Sequence, residues 1–354
     1  MFHFKKTYKL PFRYEIPQYI EVFLKQGGLL KSWIKYLKRY LFITIKRQRS
    51  LELFSILPKH QNILWINVSA PSFGDSLMDL SSRVLLEGKK IDLFTTKKMA
   101  DIFTHDNRFN NVYSTKDFVS KNNYNLVIVD SFSTRSIKLK CKIAPKANFI
   151  GMYGYFSGPE VNRVLFSFHQ MNNLLGYYKS EKEINSYAKA SIYISDNDQA
   201  IINKANLPNN FIAIVLGGEW SYRSYKKWDK VVRYILRKDS NLNIVLVGSD
   251  NGSEIAKKIT LEFKDNNIFN YVARYSFNQT SQIISQAHIL LCCDGGLMHA
   301  ANALNKTIIP LFARLTPEMQ LTDCAKAFPL FNDQNVNNIK AEDVVERYYE
   351  AINF

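Results

Sequence analysis

The sequence predicts an α/β protein with two domains, each built on a parallel β-sheet, and three observations lead to this prediction. Short apolar segments typical of buried strands alternate with helical segments at the spacing of parallel α/β units. The length of 354 residues is enough for two domains. A hydrophobic content of 46%, with 14% aromatic residues, can fill two cores. Ligands of such domains bind at the carboxyl ends of the strands, so we expect a site in a cleft between the domains.

The chain divides into four predicted segments. These are a basic extension at 1–60, a first α/β domain at 61–190, a second at 191–340 and a C-terminal helix at 341–354. The aromatic segment 153–185 gives no clear assignment. From residue 62 onward, the predicted strands are 62–68, 91–95, 111–114, 126–130, 148–151, 211–216, 243–247, 287–293 and 307–312, and the predicted helices are 76–86, 199–206, 228–237, 253–264, 297–304 and 341–352.

One stretch, 287–304, combines a buried strand, a turn through Asp294-Gly295-Gly296 and a helix that begins at once. The free N–H groups at the start of such a helix, with the positive end of its dipole, form an anion site. The two glycines let a phosphate approach the backbone closely. The alternative is a tight turn in which Asp294 caps the helix. His299, one turn into the helix, is more often a packing or capping residue than a catalytic one.

Two further loops follow predicted strands at their carboxyl ends. Asp75, after Phe73 and Gly74, is placed to act as a general base on a hydroxyl, although an N-capping aspartate is the commoner explanation. The loop from Gly217 to Trp228 carries cations and hydroxyls suited to a pyrophosphate leaving group, and the alternative is a solvated basic loop. Its polar members are Ser221, Arg223, Ser224, Lys226 and Lys227.

Positive charge is concentrated at the start of the chain. The formal net charge is +16, and residues 1–60 contribute 13 Lys and Arg against three Glu. Apolar residues at helical spacing from Leu29 to Ile45, with lysines between them, predict a basic amphipathic helix. We expect residues 1–60 to contact an anionic membrane surface, and the alternative is a helix packed on its own domain. No signal peptide or membrane-spanning stretch is recognised, and four cysteines without a disulfide or zinc pattern fit a reducing cytoplasm.

Taken in order, these loops resemble glycosyltransferase family nine, the ADP-heptose:lipopolysaccharide heptosyltransferases, over roughly residues 62–352. The first match is Gly74-Asp75 after the first strand, and the second is Lys226-Lys227-Trp228. The third is the run from Asp294 to His299, which matches the family signature Asp-Thr-Gly-Leu-x-His and is followed by Ala-Ala-Asn-Ala-Leu. Gly295 stands where the family has threonine, and Asp229 stands where it usually has proline.

The resemblance implies a GT-B type enzyme with two Rossmann-like domains facing across a cleft, preceded here by the basic helical extension. Asp75 would take the proton of the acceptor hydroxyl, which gives inversion at the sugar carbon. Lys226 with Ser221 would bind the donor phosphates, as would Arg223. The N–H groups of Gly295, Gly296 and Leu297 would hold the pyrophosphate. Asp294 and His299 would orient the sugar or a phosphate, and Glu254 would bind the ribose.

The implied reaction is transfer of heptose from ADP-heptose to a lipopolysaccharide core or another surface glycan, at the cytoplasmic face of the inner membrane. Lysine and the helix dipole can neutralise the leaving diphosphate, so we expect neither a metal nor another cofactor. The pair Asp196 and Asp198 imitates a metal site and is interpreted as a loop or helix cap.

Other functions stay open at this point. The same fold could use a different nucleotide sugar, or the chain could be a non-catalytic polyanion-binding protein or scaffold. A nucleic-acid partner is not expected, because the charge excess lies in the extension and the chain has no recognised DNA or RNA motif. An NAD-dependent dehydrogenase is not expected either, because no G-x-G-x-x-G follows the first strand.

Overall fold

The computed structural model of the protein describes residues 3–5, 10–12, 29–115, 123–155, 161–177 and 179–353. These residues form two compact units, divided between Ala188 and Lys189. Among the described residues, no helix is both long and apolar enough to cross a membrane.

The first unit contains a five-stranded parallel sheet with the order β5-β4-β3-β6-β7. Its first strand in sequence, β3, therefore lies at the centre, and the strand order reverses between β3 and β6. Apolar residues fill both faces of the two central strands, as expected for a parallel sheet covered on both sides. The strands of this unit, including a short antiparallel pair that precedes the sheet, are β1 His3–Lys5, β2 Leu10–Phe12, β3 Asn62–Asn67, β4 Lys90–Thr95, β5 Asn111–Tyr113, β6 Leu126–Ser131 and β7 Phe149–Gly154.

Helices connect these strands, and two of them concern the site. The helix α2 follows β3 directly, and α5 follows β7, so both begin at the carboxyl edge of the sheet. The helices of the first unit are α1 Leu29–Ile45, α2 Phe73–Asp79, α3 Lys97–Phe103, α4 Thr134–Ile143, α5 Arg163–Leu175 and α6 Glu181–Asn185.

The second unit contains a six-stranded parallel sheet with the order β10-β9-β8-β11-β12-β13. Counted from its own first strand, this is the order 3-2-1-4-5-6 of dinucleotide-binding α/β folds, with its reversal between β8 and β11. Ligands bind at such a reversal, beyond the carboxyl ends of the strands. The strands are β8 Phe211–Leu216, β9 Asn243–Gly248, β10 Ile268–Asn270, β11 Ile289–Cys293, β12 Thr307–Ala313 and β13 Leu330–Asn332.

Helices cover both faces of this sheet and bury two separate apolar clusters. Cys293 packs into the cluster that includes Trp228 and Val344, whereas Cys292 packs into the opposite cluster with Met298. Neighbouring residues of a strand point to opposite faces of the sheet, and these two cysteines follow that rule. The helices of the second unit are α7 Asp196–Asn203, α8 Trp228–Lys238, α9 Ser253–Glu262, α10 Phe277–Gln286, α11 Gly296–Ala303, α12 Pro317–Gln320 and α13 Ala341–Ile352.

The prediction for the first helix after β3 is wrong at both ends. The helix begins at Phe73 rather than Ser76, because the Ser72 hydroxyl accepts a hydrogen bond from the backbone N–H of Asp75. It ends at Asp79, and a 3₁₀ turn, Ser81–Leu85, completes the segment that had been predicted as one helix.

Candidate active site

The carboxyl edge of the first sheet is held together by a buried carboxylate. Asp130, near the end of β6, accepts hydrogen bonds from the backbone N–H groups of Val68 and Ser69 at 2.9 and 2.7 Å. Its other oxygen accepts the Ser136 hydroxyl at 2.6 Å. These bonds fix the start of the loop that leads from β3 to Asp75.

Asp75 lies in the first turn of α2, with its carboxylate fixed on both oxygens. The Ser72 hydroxyl donates to Oδ2 at 2.6 Å, and the Arg163 guanidinium reaches Oδ1, with Nε at 3.0 Å. The helix cap is Ser72, so the alternative in which Asp75 caps the helix is wrong. The Asp75 side chain stays one-fifth exposed, which leaves room for a ligand to approach it.

Arg163 is a site residue that the sequence did not predict. It begins α5, inside the aromatic segment that gave no assignment, and its Nη1 also donates to Asp79 Oδ1 at 2.9 Å. The Tyr153 hydroxyl donates to the same oxygen at 2.8 Å. Burial raises the pKa of the Asp79 carboxyl, and the Arg163 charge opposes that rise. A buried carboxylate thus shares one guanidinium with the candidate base.

In the second unit, Arg223 and Asp294 join the loops that follow β8 and β11. Arg223 Nη1 donates to Asp294 Oδ2 at 2.8 Å, and the Asp294 side chain is almost fully buried. Although burial opposes the charge on Arg223, Asp294 raises its pKa. His299 is buried behind this pair, with Nε2 3.9 Å from Asp294 Oδ1. Three predicted site residues therefore meet where the strand order reverses.

The start of α11 presents backbone N–H groups rather than a side-chain cap. Gly295 is its N-cap residue and Asp294 is engaged by Arg223, so the alternative in which Asp294 caps the helix is wrong. The first N–H groups of a helix have no intrahelical acceptor. Gly295 has an extended backbone, and a Cβ added there would have only the Cys293 carbonyl oxygen near it, at 4.0 Å. The backbone of Gly295 is therefore uncrowded on the side where a side chain would stand.

The other predicted donor residues, Ser221, Lys226 and Glu254, follow the strands β8 and β9 at the same carboxyl edge. Ser221 and Lys226 are exposed, and the Lys226 backbone N–H donates to Asn337 Oδ1 at 2.8 Å. Glu254, at the start of α9, is 90% exposed and lies 3.4 Å from Lys257 Nζ. By contrast, Lys227 has a structural role, because its Nζ donates to the Ile339 carbonyl at 3.1 Å.

A group of aromatic and cationic side chains beside Arg223 is also not predicted by the sequence. The Arg314 guanidinium lies over the Tyr222 ring, 3.9 Å from the ring centroid. The rings of Trp220 and Tyr222 stack with their centroids 6.4 Å apart. Trp220 and Arg314 are exposed, and Arg314 follows the end of β12. This contact joins positions more than ninety residues apart in the sequence, so no local pattern predicts it.

No group of three or more His, Cys, Asp or Glu suited to a metal is found in the part of the chain that the structure describes. The pair Asp196 and Asp198 lies in the first turn of α7, where the Ser195 hydroxyl caps the helix and donates to Asp198 Oδ2 at 2.7 Å. The interpretation of this pair as a loop or helix cap is corrected by the structure, because both residues lie inside the first turn and the cap is Ser195.

The family model of glycosyltransferase family 9 (heptosyltransferase) matches residues 155–348, more than half of the chain. The chain belongs to glycosyltransferase family 9. No curated protein sequence matches it. The family resemblance seen in the sequence is thereby confirmed.

Solved structures share the fold of this family 9 chain. A family 9 glycosyltransferase from Veillonella parvula superposes with a TM-score of 0.69 at 11% identity, covering 83% of this chain and 98% of that one. The ADP-heptose lipopolysaccharide heptosyltransferase II of Escherichia coli gives 0.65 at 17% identity, covering 82% and 98%. The E. coli heptosyltransferase WaaC with ADP gives 0.62 at 16%, covering 82% and 99%. The predicted GT-B type fold, with two parallel-sheet α/β domains, is confirmed.

Proposed function

We propose that the chain is an inverting glycosyltransferase that moves heptose from ADP-heptose to a lipopolysaccharide core or another surface glycan. Family membership supports the transferase class, and the E. coli relatives that share the fold are heptosyltransferases, one of them bound to ADP. The acceptor binds the first unit and the nucleotide sugar binds the second. No metal or other cofactor takes part.

Asp75 is the proposed general base. As the acceptor hydroxyl oxygen attacks the anomeric carbon, its proton passes to the Asp75 carboxylate, and the bond from that carbon to the diphosphate breaks. Attack from the face opposite the leaving group inverts the configuration. The Ser72 hydroxyl and the Arg163 guanidinium hold the two carboxylate oxygens, and this positioning keeps the base aimed at one place.

The second unit supplies the charge that stabilises the leaving diphosphate. The N–H groups of Gly295, Gly296 and Leu297 and the dipole of α11 bind the pyrophosphate, and Lys226 with Ser221 and Arg223 completes the site. Because Asp294 already neutralises Arg223, the exposed Lys226 supplies further positive charge to the donor site. The Asp294 carboxylate orients the Arg223 guanidinium, and the buried His299 side chain helps to hold the Asp294 carboxylate in place. Glu254 binds the ribose.

One observation carries this proposal: Asp75 is held on both oxygens, yet remains partly exposed, at the carboxyl end of the central strand of the first sheet. A purely structural carboxylate does not need that exposure. The same position in the second unit is occupied by the Arg223–Asp294 pair beside an open helix start, which suits an anion. The two units thus offer complementary chemistry for base-assisted displacement of a diphosphate.

The protein acts at the cytoplasmic face of the inner membrane, with residues 1–60 attached peripherally to the anionic lipid surface. The charge excess in that segment supports this location. Nucleic acid is not a partner.

The donor is tested by the thermal stabilisation that ADP, UDP, GDP and CDP give to wild-type protein and to Lys226→Ala. Stabilisation by ADP alone, lost in the variant, would support an ADP-sugar donor. Stabilisation by another nucleotide alone would keep the mechanism and change the donor. No binding of any nucleotide would contradict the transferase and favour a polyanion-binding protein or scaffold.

The base is tested by Asp75→Asn, which should lower kcat by about 10²- to 10⁴-fold with little change in stability. The chain offers a matched control in Asp198→Asn. Ser195 and Asp198 repeat the contact of Ser72 with Asp75 at the start of another helix, at 2.7 instead of 2.6 Å. Asp198→Asn should keep wild-type activity. Equal activities for the two variants would contradict the role of Asp75.

A further inference from the structure

The helix α1 is attached to the first unit through one face. Tyr36 and Ile43 on this face are buried in the core cluster that also contains Phe132 and Tyr155. The Tyr36 and Tyr155 rings lie 5.0 Å apart, and Arg39 Nη1 donates to the Gly154 carbonyl at 3.0 Å. This face of α1 is therefore packed on its own domain, as the alternative interpretation expected. The packing also fixes which residues of α1 face away from the domain.

The opposite face of α1 is apolar and exposed. Residues spaced by three and four positions lie on one side of a helix, and such spacing places this set away from Tyr36 and Ile43. The exposed fractions are large for aliphatic side chains on a helix that is already docked: Ile34 58%, Leu37 44%, Leu41 55% and Ile45 73%. We call these four residues the α1 stripe.

Cations border the α1 stripe. Lys38 lies four residues after Ile34 and three before Leu41, and Lys35 lies beside Lys38, so both project along one side of the stripe. Both lysines are exposed, and neither forms an ion pair with a described residue. Residues 29–60 contain eight Lys and Arg against one acidic residue, Glu52, which is itself buried. The surface is therefore apolar at its centre and positive at its margin.

We propose that the α1 stripe is the surface by which the protein lies on an anionic bilayer. Ile34, Leu37, Leu41 and Ile45 enter the boundary between headgroups and acyl chains, while the lysines contact lipid phosphates. The inference rests on the membrane attachment in the proposed function and specifies the residues that make it. The docked face keeps α1 parallel to the surface of its unit, so binding orients that unit on the lipid.

Charge selects this occupant over a second copy of the chain. In an antiparallel pair of α1 stripes the two lysine-lined margins would lie on the same side of the interface, and like charges in one interface repel. An anionic bilayer supplies the opposite charge and an apolar layer at the depth that the aliphatic side chains reach. An apolar stripe with lysines along one side fits that partner.

The test is co-sedimentation of the full chain with vesicles of phosphatidylcholine containing phosphatidylglycerol, and with pure phosphatidylcholine vesicles. Wild type should bind the anionic vesicles and bind the neutral ones at least tenfold more weakly. The double variant Leu37→Ser, Leu41→Ser should bind the anionic vesicles at least tenfold more weakly than wild type. Leu261→Ser is the matched control, because Leu261 is a 76% exposed leucine on α9 of the second unit, and it should bind as wild type does.

A second variant, Lys35→Glu, Lys38→Glu, guards against a folding defect, since both residues are exposed. It should also weaken anionic binding at least tenfold and leave far-UV circular dichroism unchanged. Undiminished binding by both double variants would overturn the role of the α1 stripe. A wild-type protein that is dimeric in solution, with a serine variant that is monomeric, would also overturn it. Failure of wild type to bind anionic vesicles would overturn the membrane attachment as well. Sugar transfer to a soluble acceptor, assayed separately, tests the catalytic proposal independently of lipid.

Discussion

Arg163 Nε lies 3.0 Å from Asp75 Oδ1, a contact that joins two helices of the first unit across 88 residues of sequence. The same guanidinium donates to the buried Asp79 carboxylate. The candidate base and a carboxylate with a raised pKa are therefore coupled through one arginine. Changes at Arg163 should consequently alter both stability and its dependence on pH.

Arg163→Gln should lower the free energy of unfolding at pH 7 by about 3 to 5 kcal/mol, because it leaves buried Asp79 without its partner charge. It should also raise the pKa of Asp79 further, since Arg163 opposes the rise caused by burial. A folded state that binds the proton more tightly than the unfolded chain loses stability as pH rises from the ordinary pKa of 3.8. The deficit relative to wild type should thus be smaller at about pH 4 than at pH 7.

Urea unfolding of wild type and variant across this pH range measures the deficit. Adding Asp79→Asn to Arg163→Gln is the control, because it removes the titrating group and should flatten the pH dependence. A deficit that is equal at both pH values with Asp79 present would contradict the coupling.

Arg223→Met should destabilise the second unit, because Asp294 would remain buried without a cation. Adding Asp294→Asn should restore part of the lost free energy of unfolding by removing the unpaired charge. The exposed ion pair of Lys257 with Glu254 serves for comparison. Lys257→Met breaks this contact and should lower the free energy of unfolding only slightly. Urea unfolding measures the stability of the three variants. A double variant less stable than Arg223→Met would contradict the role of the Arg223–Asp294 ion pair.

Two glycines that follow or end strands of the second sheet should differ in their response to alanine. Gly248 has a φ of +142°, and a Cβ there would lie 2.2 Å from the Leu216 carbonyl oxygen. Gly248→Ala should therefore lower the free energy of unfolding by at least about 1 to 3 kcal/mol. Gly295→Ala should lower it by no more than about 1 kcal/mol, because that position is extended and uncrowded and alanine loses only the N-cap preference of glycine. Thermal or urea unfolding of both variants tests the contrast, which equal losses would refute.

The four thiols should separate into two classes. Cys292 and Cys293 are buried on β11, and burial raises the pKa of Cys293 to about 12. Cys141 and Cys324 are partly exposed. At pH 8 a thiol reagent should modify Cys141 and Cys324 in the native protein, and all four cysteines only after unfolding. Mass spectrometry of the labelled peptides gives the count, and rapid native labelling of Cys292 or Cys293 would show that β11 opens readily.

Local patterns predicted the elements that a single segment specifies. The strand Phe211–Leu216 and the helix Ala341–Ile352 agree with the structure at both ends, because an unbroken apolar run and a regular amphipathic period define them. The start of α2 was missed because several residues after β3 could serve as its cap, and only the fold selects Ser72. The short edge strand Ile268–Asn270 was missed because three half-buried residues give no periodicity.

The site was predictable only in part, for the same physical reason. Asp75, Asp294 and Arg223 follow strands and could be found from their position in the chain. Arg163 could not, because its contacts with Asp75 and Asp79 are made in space and nothing beside it in the sequence marks them. Side-chain networks of this kind arise from the strand order, which brings together segments that the chain keeps apart.

The central position of the first strand in each sheet has a consequence during synthesis on the ribosome. In the five-stranded sheet β3 emerges first, yet its neighbour β6 follows only after β4 and β5 have been made. One edge of β3 thus keeps unpaired backbone donors and acceptors while the intervening chain is translated. In the second unit β8 waits for β11 in the same way. Each half of the nascent protein therefore passes through a stage with an open, apolar sheet edge, where a chaperone would give the most protection against aggregation.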